Sequence, residues 1–368
     1  MKFYQILSWF SRNLSGIILL QRKTIAYLVF GIIVNNKASL IGIAKGMKTK
    51  TTVRHNLKRV ARFLANKKIN VQLSLLKLQE QLLKKQKEIF LLLDWTLLSD
   101  NGYQVLKATV IGEGRGIPFA FKTYKEGSIK NKQTKYEKDF LKYLKTIIPE
   151  NIEVFIIADR GFGQKPELLK YIEKLGFYYI ARNKECFIIK SSTYSGKIEN
   201  FKIDLEKIYE IKDCLWPNNK NIRKKQLLSR LIIVKKNGFK SRWSITTNNN
   251  DLTKEEIISI YSKRMLIEQT FKDEKNLDNG YSIERVKLSS EERYDKIFLL
   301  ISYAYLLLTL FGALMEKQNM HRKIMANTVK HRTVSLFQVG RYYYNKYDIS
   351  IPKIFSILEC IIFKTGNT

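Results

Sequence analysis

Cysteine and histidine are scarce, three of each in 368 residues. Cys186, Cys214 and Cys360 form no Cys-x-x-Cys pair, and His55, His321 and His331 lie near none of them in the sequence. That excludes a zinc ribbon or finger and a disulfide scaffold, and it suits a reducing cytoplasm. Proline is also rare, at five residues, while hydrophobic residues make up 45% and aromatics 12%. General disorder is thereby excluded. Acids are the remaining shortage: 33 Asp and Glu stand against 66 Lys and Arg, giving a formal net charge of +33. A globular chain this basic has a polyanion as its partner, either nucleic acid or an anionic membrane surface. The N-terminus does not read as a secretory signal, because Arg12 and Asn13 interrupt its apolar stretch and no small-residue cleavage site follows. One run, Ile297 to Leu314, is uncharged for 18 residues. It contains Ser302, Tyr303, Tyr305 and Thr309 and stands alone, so it reads as a buried core helix, with a membrane span as the alternative.

Charge is distributed unevenly. Residues 1–85 hold 17 Lys and Arg and a single acid, Glu80. Apolar residues recur there at helical spacing, and Thr51 or Thr52 is placed to cap a helix bearing Arg54, Lys58, Arg59 and Arg62. Spacings of three and four gather most of these cations on one helical surface. With almost no acids to pair them, DNA binding is the expected reason for the charge, a solvated helix face the bland one.

From about residue 88 the period changes. EIFLLLDWT, YQVLKATVI and GIPFAFKTY read as strands, separated by SDNG and GEGRG. The second glycine cluster lacks the Lys-Ser/Thr of a phosphate loop and runs into Pro118, so a hairpin turn is expected. A helix from Tyr136 to Ile148, the strand IEVFIIADRGF, the helix PELLKYIEKLG and the strand FYYIARN follow. This order signals a mixed α/β sheet whose first three strands are antiparallel. Residues 186–247 read as a mostly β insertion, and helices resume at Thr253 and continue to Lys317.

Two acids follow apolar strands: Asp94 after IFLLL, and Asp159 after VFIIA and before Arg160-Gly161. Strand ends in α/β sheets are where ligand sites form, and the glycine lets the chain turn away. Turn or helix capping is the alternative for each; Asp100 and Glu113 fall in turns. In YSKRMLIEQTFKDEK, Tyr261, Arg264, Glu268 and Lys275 are spaced by 3, 4 and 7. On one continuous helix they share an arc of about 60° over about 21 Å. Ile257, Ile260, Ile267 and Phe271 form the adjacent buried stripe. Convergent carboxylates hold Mg²⁺ or Mn²⁺, which favour hard oxygen ligands, and a pair of such ions cleaves phosphodiesters. Arg264 and Lys275 suit flanking phosphates, and Tyr261 the DNA backbone.

LLLDWT, IIADRGFG and above all Y-x2-R-x3-E-x6-K resemble the DDE transposases of the IS4 family of bacterial insertion sequences, over about residues 88–280. The resemblance implies an RNase H-like α/β core, a mixed sheet flanked by helices, with Asp94, Asp159 and Glu268 as the catalytic, metal-binding triad and two Mg²⁺ (or Mn²⁺) ions as cofactors. The wide gap between Asp159 and Glu268 agrees with the family's β-rich insertion, at about 186–247. Trp243 in WSITTN matches the W-x3-T element, whose tryptophan stabilises a flipped base in the family; a core-strand tryptophan is the alternative. Met265 departs from the aromatic that relatives commonly carry after the signature arginine.

The domains expected are a basic helical DNA-binding domain at 1–85, a catalytic domain at 86–300, and a mainly helical C-terminal region at 301–368, a candidate for dimerisation. The implied function is cut-and-paste transposition by metal-dependent cleavage at terminal inverted repeats and strand transfer. The partners would be double-stranded DNA and a second copy of the chain, with no membrane, in the cytoplasm at the nucleoid. None of the histidines heads the His-x-x-Arg element of a tyrosine recombinase. A related metal-dependent nuclease and a non-catalytic, end-binding decayed transposase are the alternatives.

Overall fold

The computed structural model describes residues 1–14, 16–98, 102–216, 226–238, 241–326, 328–329 and 332–365. The SDNG turn, Asp100 and His331 lie wholly or largely outside these residues. Five helices come first: α1 Phe3–Asn13, α2 Leu19–Asn35, α3 Leu40–Gly46, α4 Val53–Ala65 and α5 Val71–Leu83. Ser39, Thr52 and Asn70 each accept a backbone N–H at the start of α3, α4 and α5, which satisfies one donor that a helix leaves open there.

Three strands follow, β1 Glu88–Leu97, β2 Tyr103–Ile111 and β3 Gly116–Lys125. β2 and β3 pair antiparallel around the expected glycine turn, where Gly114 takes a left-handed φ of 72°. Next come α6 Glu126–Ile129, α7 Gln133–Ile147, β4 Glu153–Ala158, α8 Arg160–Gly163, α9 Pro166–Lys174 and β5 Tyr178–Arg182. The β-rich stretch holds β6 Ile188–Lys190, β7 Ser195–Lys197, β8 Ile208–Trp216, β9 Leu227–Val234 and β10 Trp243–Thr247. The ten strands form one mixed sheet in the order β3-β2-β1-β4-β5-β10-β9-β8-β6-β7, flanked by helices.

The final helices are α10 Lys254–Ser262, α11 Leu266–Lys275, α12 Glu291–Lys317, α13 Leu336–Tyr343, α14 Ile351–Phe355 and α15 Leu358–Ile361. A 3₁₀ turn, Lys263–Met265, separates α10 from α11. The single helix expected through Tyr261, Arg264, Glu268 and Lys275 is therefore corrected. Tyr261 lies on α10, Arg264 in the 3₁₀ turn, and Glu268 and Lys275 on α11.

By their packing the residues fall into two compact units, each assembled from separated stretches of chain. The first comprises Met1–Lys85, Trp95–Lys130 and Leu266–Phe363. Its core is α12, the one described helix long and apolar enough to cross a membrane, and 94% of that apolar window is buried inside the protein. Two polar groups of this helix find partners there, Tyr303 donating to the Ser74 carbonyl and Ser302 to the Phe298 carbonyl, while the Thr309 hydroxyl is buried without a hydrogen-bond partner among the described residues. Gly312 and Gly340 let α12 and α13 meet backbone to backbone, since a Cβ at either position would overlap a carbonyl oxygen of the facing helix.

The second unit comprises Gln86–Asp94, Asn131–Met265 and Lys364–Thr368. Its centre is the parallel trio β1, β4 and β5, with β10 antiparallel to β5. Ile89–Leu93 and Val154–Ala158 are buried throughout, which accounts for their unbroken apolar character: a parallel strand is covered on both faces.

Candidate active site

The second unit presents two of the expected acids together. In the β1–β4 ladder Leu93 is level with Ala158, so Asp94 and Asp159 come immediately after the last paired residues of adjacent parallel strands. Neighbouring strands lie about 4.8 Å apart, and both carboxylates stand on the carboxyl side of the ladder, where α/β sheets bind ligands. β1 runs on to Leu97, so Asp94 does not end its strand as the sequence suggests.

Asp159 both caps a helix and faces the site. Its Oδ1 accepts from the backbone N–H of Gly161 at 2.8 Å and of Phe162 at 3.2 Å, while Oδ2 accepts no hydrogen bond among the described residues. The glycine at 161 is needed for proximity: a Cβ there would lie 3.0 Å from Asp159 Oδ1, and no left-handed φ is involved. Gly163 packs α8 onto β5 so closely that a Cβ would overlap the Arg182 carbonyl oxygen.

Cations surround these acids. Arg264 Nη1 lies 3.4 Å from Asp94 Oδ2, with the two side chains 15% and 17% exposed. Arg182, which the sequence reading passed over, follows Ala181, and Ala181 is level with Ala158; Arg182 therefore stands beside Asp159 on the next strand. Its Nη2 donates to Ser241 Oγ and to the Arg242 carbonyl, both at 2.7 Å, while its buried Nε has no hydrogen-bond partner among the described residues. Burial, and next the charge of Arg160, hold the Arg182 guanidinium below its ordinary value. The Tyr261 phenol is pushed up to about 12 by burial, against the opposing pull of Arg264 and Arg182. Trp243 packs edge-on against Tyr261 with ring centroids 5.0 Å apart. The signal for Arg182 is its place one residue past the parallel ladder of β4 and β5, and it becomes readable only when the strand order is known.

In the first unit Glu268, Lys272 and Lys275 line a cavity of about 590 Å³ together with Thr96, Asn276 and Glu284. Lys275 Nζ pairs with Glu284 Oε1 at 3.3 Å, the side chains being 25% and 32% exposed. Among the described residues no group of three His, Cys, Asp or Glu is arranged to hold a metal ion.

On α4 the side chains of Arg54, Lys58 and Arg62 are exposed at successive intervals of four. Arg59 instead leans over the Tyr27 ring, 5.6 Å from its centroid. Arg59 and Arg62 join Lys68 along a groove of about 440 Å³ that also includes Ile18 and Leu20. The competing acid Glu113 is an ion-pair partner of Arg332 in the hairpin turn.

A mixed sheet that brings two aspartates just past the paired stretch of adjacent parallel strands, followed in the sequence by a helical segment carrying a glutamate, is an arrangement suited to phosphoryl transfer. The chain matches the transposase DDE domain family over residues 85–307, well over half its length, and belongs to that family. No curated protein matches the chain. The family makes transposition the general class of function and DNA the general class of partner.

Proposed function

We infer that the chain is a cut-and-paste transposase of the IS4 type, cleaving DNA at terminal inverted repeats and joining the freed 3′-hydroxyl to target DNA. The observation that carries the reading is the level placement of Asp94 and Asp159 on adjacent parallel strands, with Arg264 of the Y-x2-R-x3-E-x6-K signature against Asp94. The mixed sheet around β1, β4 and β5 is read as an RNase H-like core, and the β-rich stretch at about 186–247, β6 to β10, as its insertion.

Asp94, Asp159 and Glu268 are assigned as the acids that hold divalent ions. The donor chemistry fits: all three are hard oxygen ligands, and Asp159 keeps Oδ2 clear of the capping bonds on Oδ1. A pair of bound Mg²⁺ or Mn²⁺ ions would supply activation of the attacking oxygen and stabilisation of the leaving one. The protein's own groups position the DNA. Arg264, Arg182 and Lys275 bind phosphates next to the cleaved one, Tyr261 stays a neutral hydroxyl donor, and Trp243 offers a stacking face. Arg54, Lys58 and Arg62 contact duplex backbone outside the catalytic domain, with Arg59 beside them. Two ends cut in concert call for two copies of the chain, and the burial of α12 supports a protein that works on the nucleoid and not in a membrane.

The test is incubation of the purified chain with duplex DNA carrying the inverted repeats that flank its gene, with Mg²⁺ or Mn²⁺. Cleavage at the repeat ends is expected, and it should vanish in Asp94→Asn, Asp159→Asn and Glu268→Gln while binding persists. Binding without cleavage by the unaltered chain under both ions would identify a non-catalytic end-binding protein instead. Full activity in one variant would remove that residue from the triad.

A further inference from the structure

Helix α11 offers a clean separation of faces. Taking Glu268 as zero and about 100° per residue, Lys272 and Lys275 lie within about 40° of it, whereas Thr270, Asp273 and Glu274 fall between about 140° and 240°. The structure agrees: Ile267, Thr270, Phe271, Asp273 and Glu274 are buried, while Glu268, Lys272 and Lys275 are not. Three residues on the buried face are polar, and each is tied to the β2–β3 hairpin. Thr270 Oγ1 donates to the Gly116 carbonyl at 2.8 Å. Asp273 Oδ2 accepts from Arg115 Nε at 2.7 Å and from the Tyr305 hydroxyl at 2.9 Å. Glu274 Oε2 lies 2.5 Å from Lys107 Nζ on β2, and both side chains are only 2% exposed.

We propose that Lys107 and Glu274 are positioning residues for DNA cleavage: a buried ion pair that fixes the rotation of α11 about its axis and so the direction in which Glu268 points. The proposal rests on the role assigned above to Glu268.

A stability argument does not account for this pair. Burying two charges is costly, and a well-packed apolar pair of similar volume is often as stable or more so. The surroundings would accept one, since Lys107 Nζ lies 3.8 Å from the centroid of the Phe298 ring and near Phe271. The Glu274 carboxylate even keeps its second oxygen, Oε1, buried without a hydrogen-bond partner among the described residues. What the pair supplies and apolar packing does not is one strongly preferred geometry. A rotation of about 20° sweeps a carboxylate about 6 Å from a helix axis through about 2 Å. A misplacement of about 1 Å at a reacting centre is enough to slow a reaction about a hundredfold.

The test replaces both partners at once, because removing one leaves the other charge buried and alone. In the full chain, Lys107→Met with Glu274→Met should melt no lower than the unaltered protein and bind terminal-repeat duplex with unchanged Kd. Its single-turnover cleavage rate should fall 10- to 100-fold, and the Mn²⁺ concentration needed for half-saturation, read by electron paramagnetic resonance, should rise at least fivefold. In a Glu268→Gln background the paired substitution should leave Mn²⁺ binding unmoved, which a general loosening of the fold would not do. Restoring charges as Lys107→Arg with Glu274→Asp should recover cleavage to within about threefold of the unaltered rate. If the methionine pair does not fold, Glu274→Gln serves, with a 3- to 10-fold slower rate expected at unchanged Kd. Cleavage and Mn²⁺ binding within twofold of the unaltered protein, in a folded variant, would overturn the proposal. Glu268→Gln with full activity would instead overturn the role of Glu268 itself.

Discussion

Asp94 and Asp159 come just past a ladder of paired backbone groups, whereas Glu268 rides a ten-residue helix fastened through side chains. In the second unit the ladder from Glu88–Glu153 to Leu93–Ala158 sets the level of both aspartates before any side chain is considered. In the first unit Thr270, Asp273 and Glu274 do the equivalent work for α11 through a carbonyl, two hydrogen-bond donors and a buried lysine. An acid on a ladder is placed by bonds that every sequence of the right pattern can make. An acid on such a helix depends on a few particular partners, and single substitutions should expose the difference.

The largest effect expected is chemical. Asp94→Asn, Asp159→Asn and Glu268→Gln should each lower cleavage by roughly a thousandfold or more, the scale of losing several kcal/mol of transition-state stabilisation. Their effect on folding should be small, because each substitute keeps the shape of the side chain and the ladder or helix beneath it. Paired measurement of single-turnover cleavage and urea midpoint checks this, and a variant that loses both together would erase the proposed division of labour.

Removing one partner of the buried pair should add a large loss of stability to a smaller loss of cleavage. Lys107→Ala strands the Glu274 carboxylate in the interior and should destabilise the protein by about 3–5 kcal/mol. A comparable truncation on the ladder side should cost less, since the Asp94 and Arg264 side chains are 17% and 15% exposed, against 2% for Lys107 and Glu274. Urea denaturation distinguishes the two, and a loss below about 1 kcal/mol for Lys107→Ala would mean that water or a shifted side chain reaches Glu274.

This contrast also explains what the sequence made legible. The apolar runs before Asp94 and Asp159 are readable because parallel strands are buried on both faces, and the glycine turn at 112–116 because it lacks the residues of a phosphate loop. Hydroxyl chemistry offers Thr51 and Thr52 alike as the cap of α4, and Thr52 takes the role. The 3₁₀ turn at Lys263–Met265 was not readable, since three residues of altered pitch leave the apolar spacing on either side intact. Nothing in the run YQVLKATVI marks Lys107 for burial, which depends on Glu274, 167 positions away. Arg182 likewise acquires meaning only through the order of β4 and β5.

A titration sharpens the picture of the second unit. The Tyr261 phenol has its folded value pushed up to about 12, so the neutral form is favoured by folding. Its contribution to stability is complete below pH about 10 and declines as pH rises toward 12, with about 1.4 kcal/mol lost by pH 11. Tyr261→Phe removes that decline. The difference in stability between the unaltered protein and this variant should therefore shift by about that amount between pH 9 and pH 11; no shift would place Tyr261 in contact with solvent.

The smallest effect concerns the two signature cations, which are each held by an acid but with unequal consequences. Arg264 pairs with Asp94, so freeing this arginine by substitution also removes a proposed metal ligand. Lys275 pairs with Glu284, which lies outside the triad and lines the same cavity as Glu268. If Lys275 binds a DNA phosphate, that phosphate competes with Glu284 for the ammonium group. Glu284→Gln relieves the competition, and because the pair is partly exposed the gain should be modest, about two- to fivefold in affinity for terminal-repeat DNA at low salt. The gain should shrink as salt is raised and vanish in a Lys275→Gln background, where no ammonium remains to be released. Weaker binding in Glu284→Gln would mean that the carboxylate shapes the DNA surface and does not occupy it.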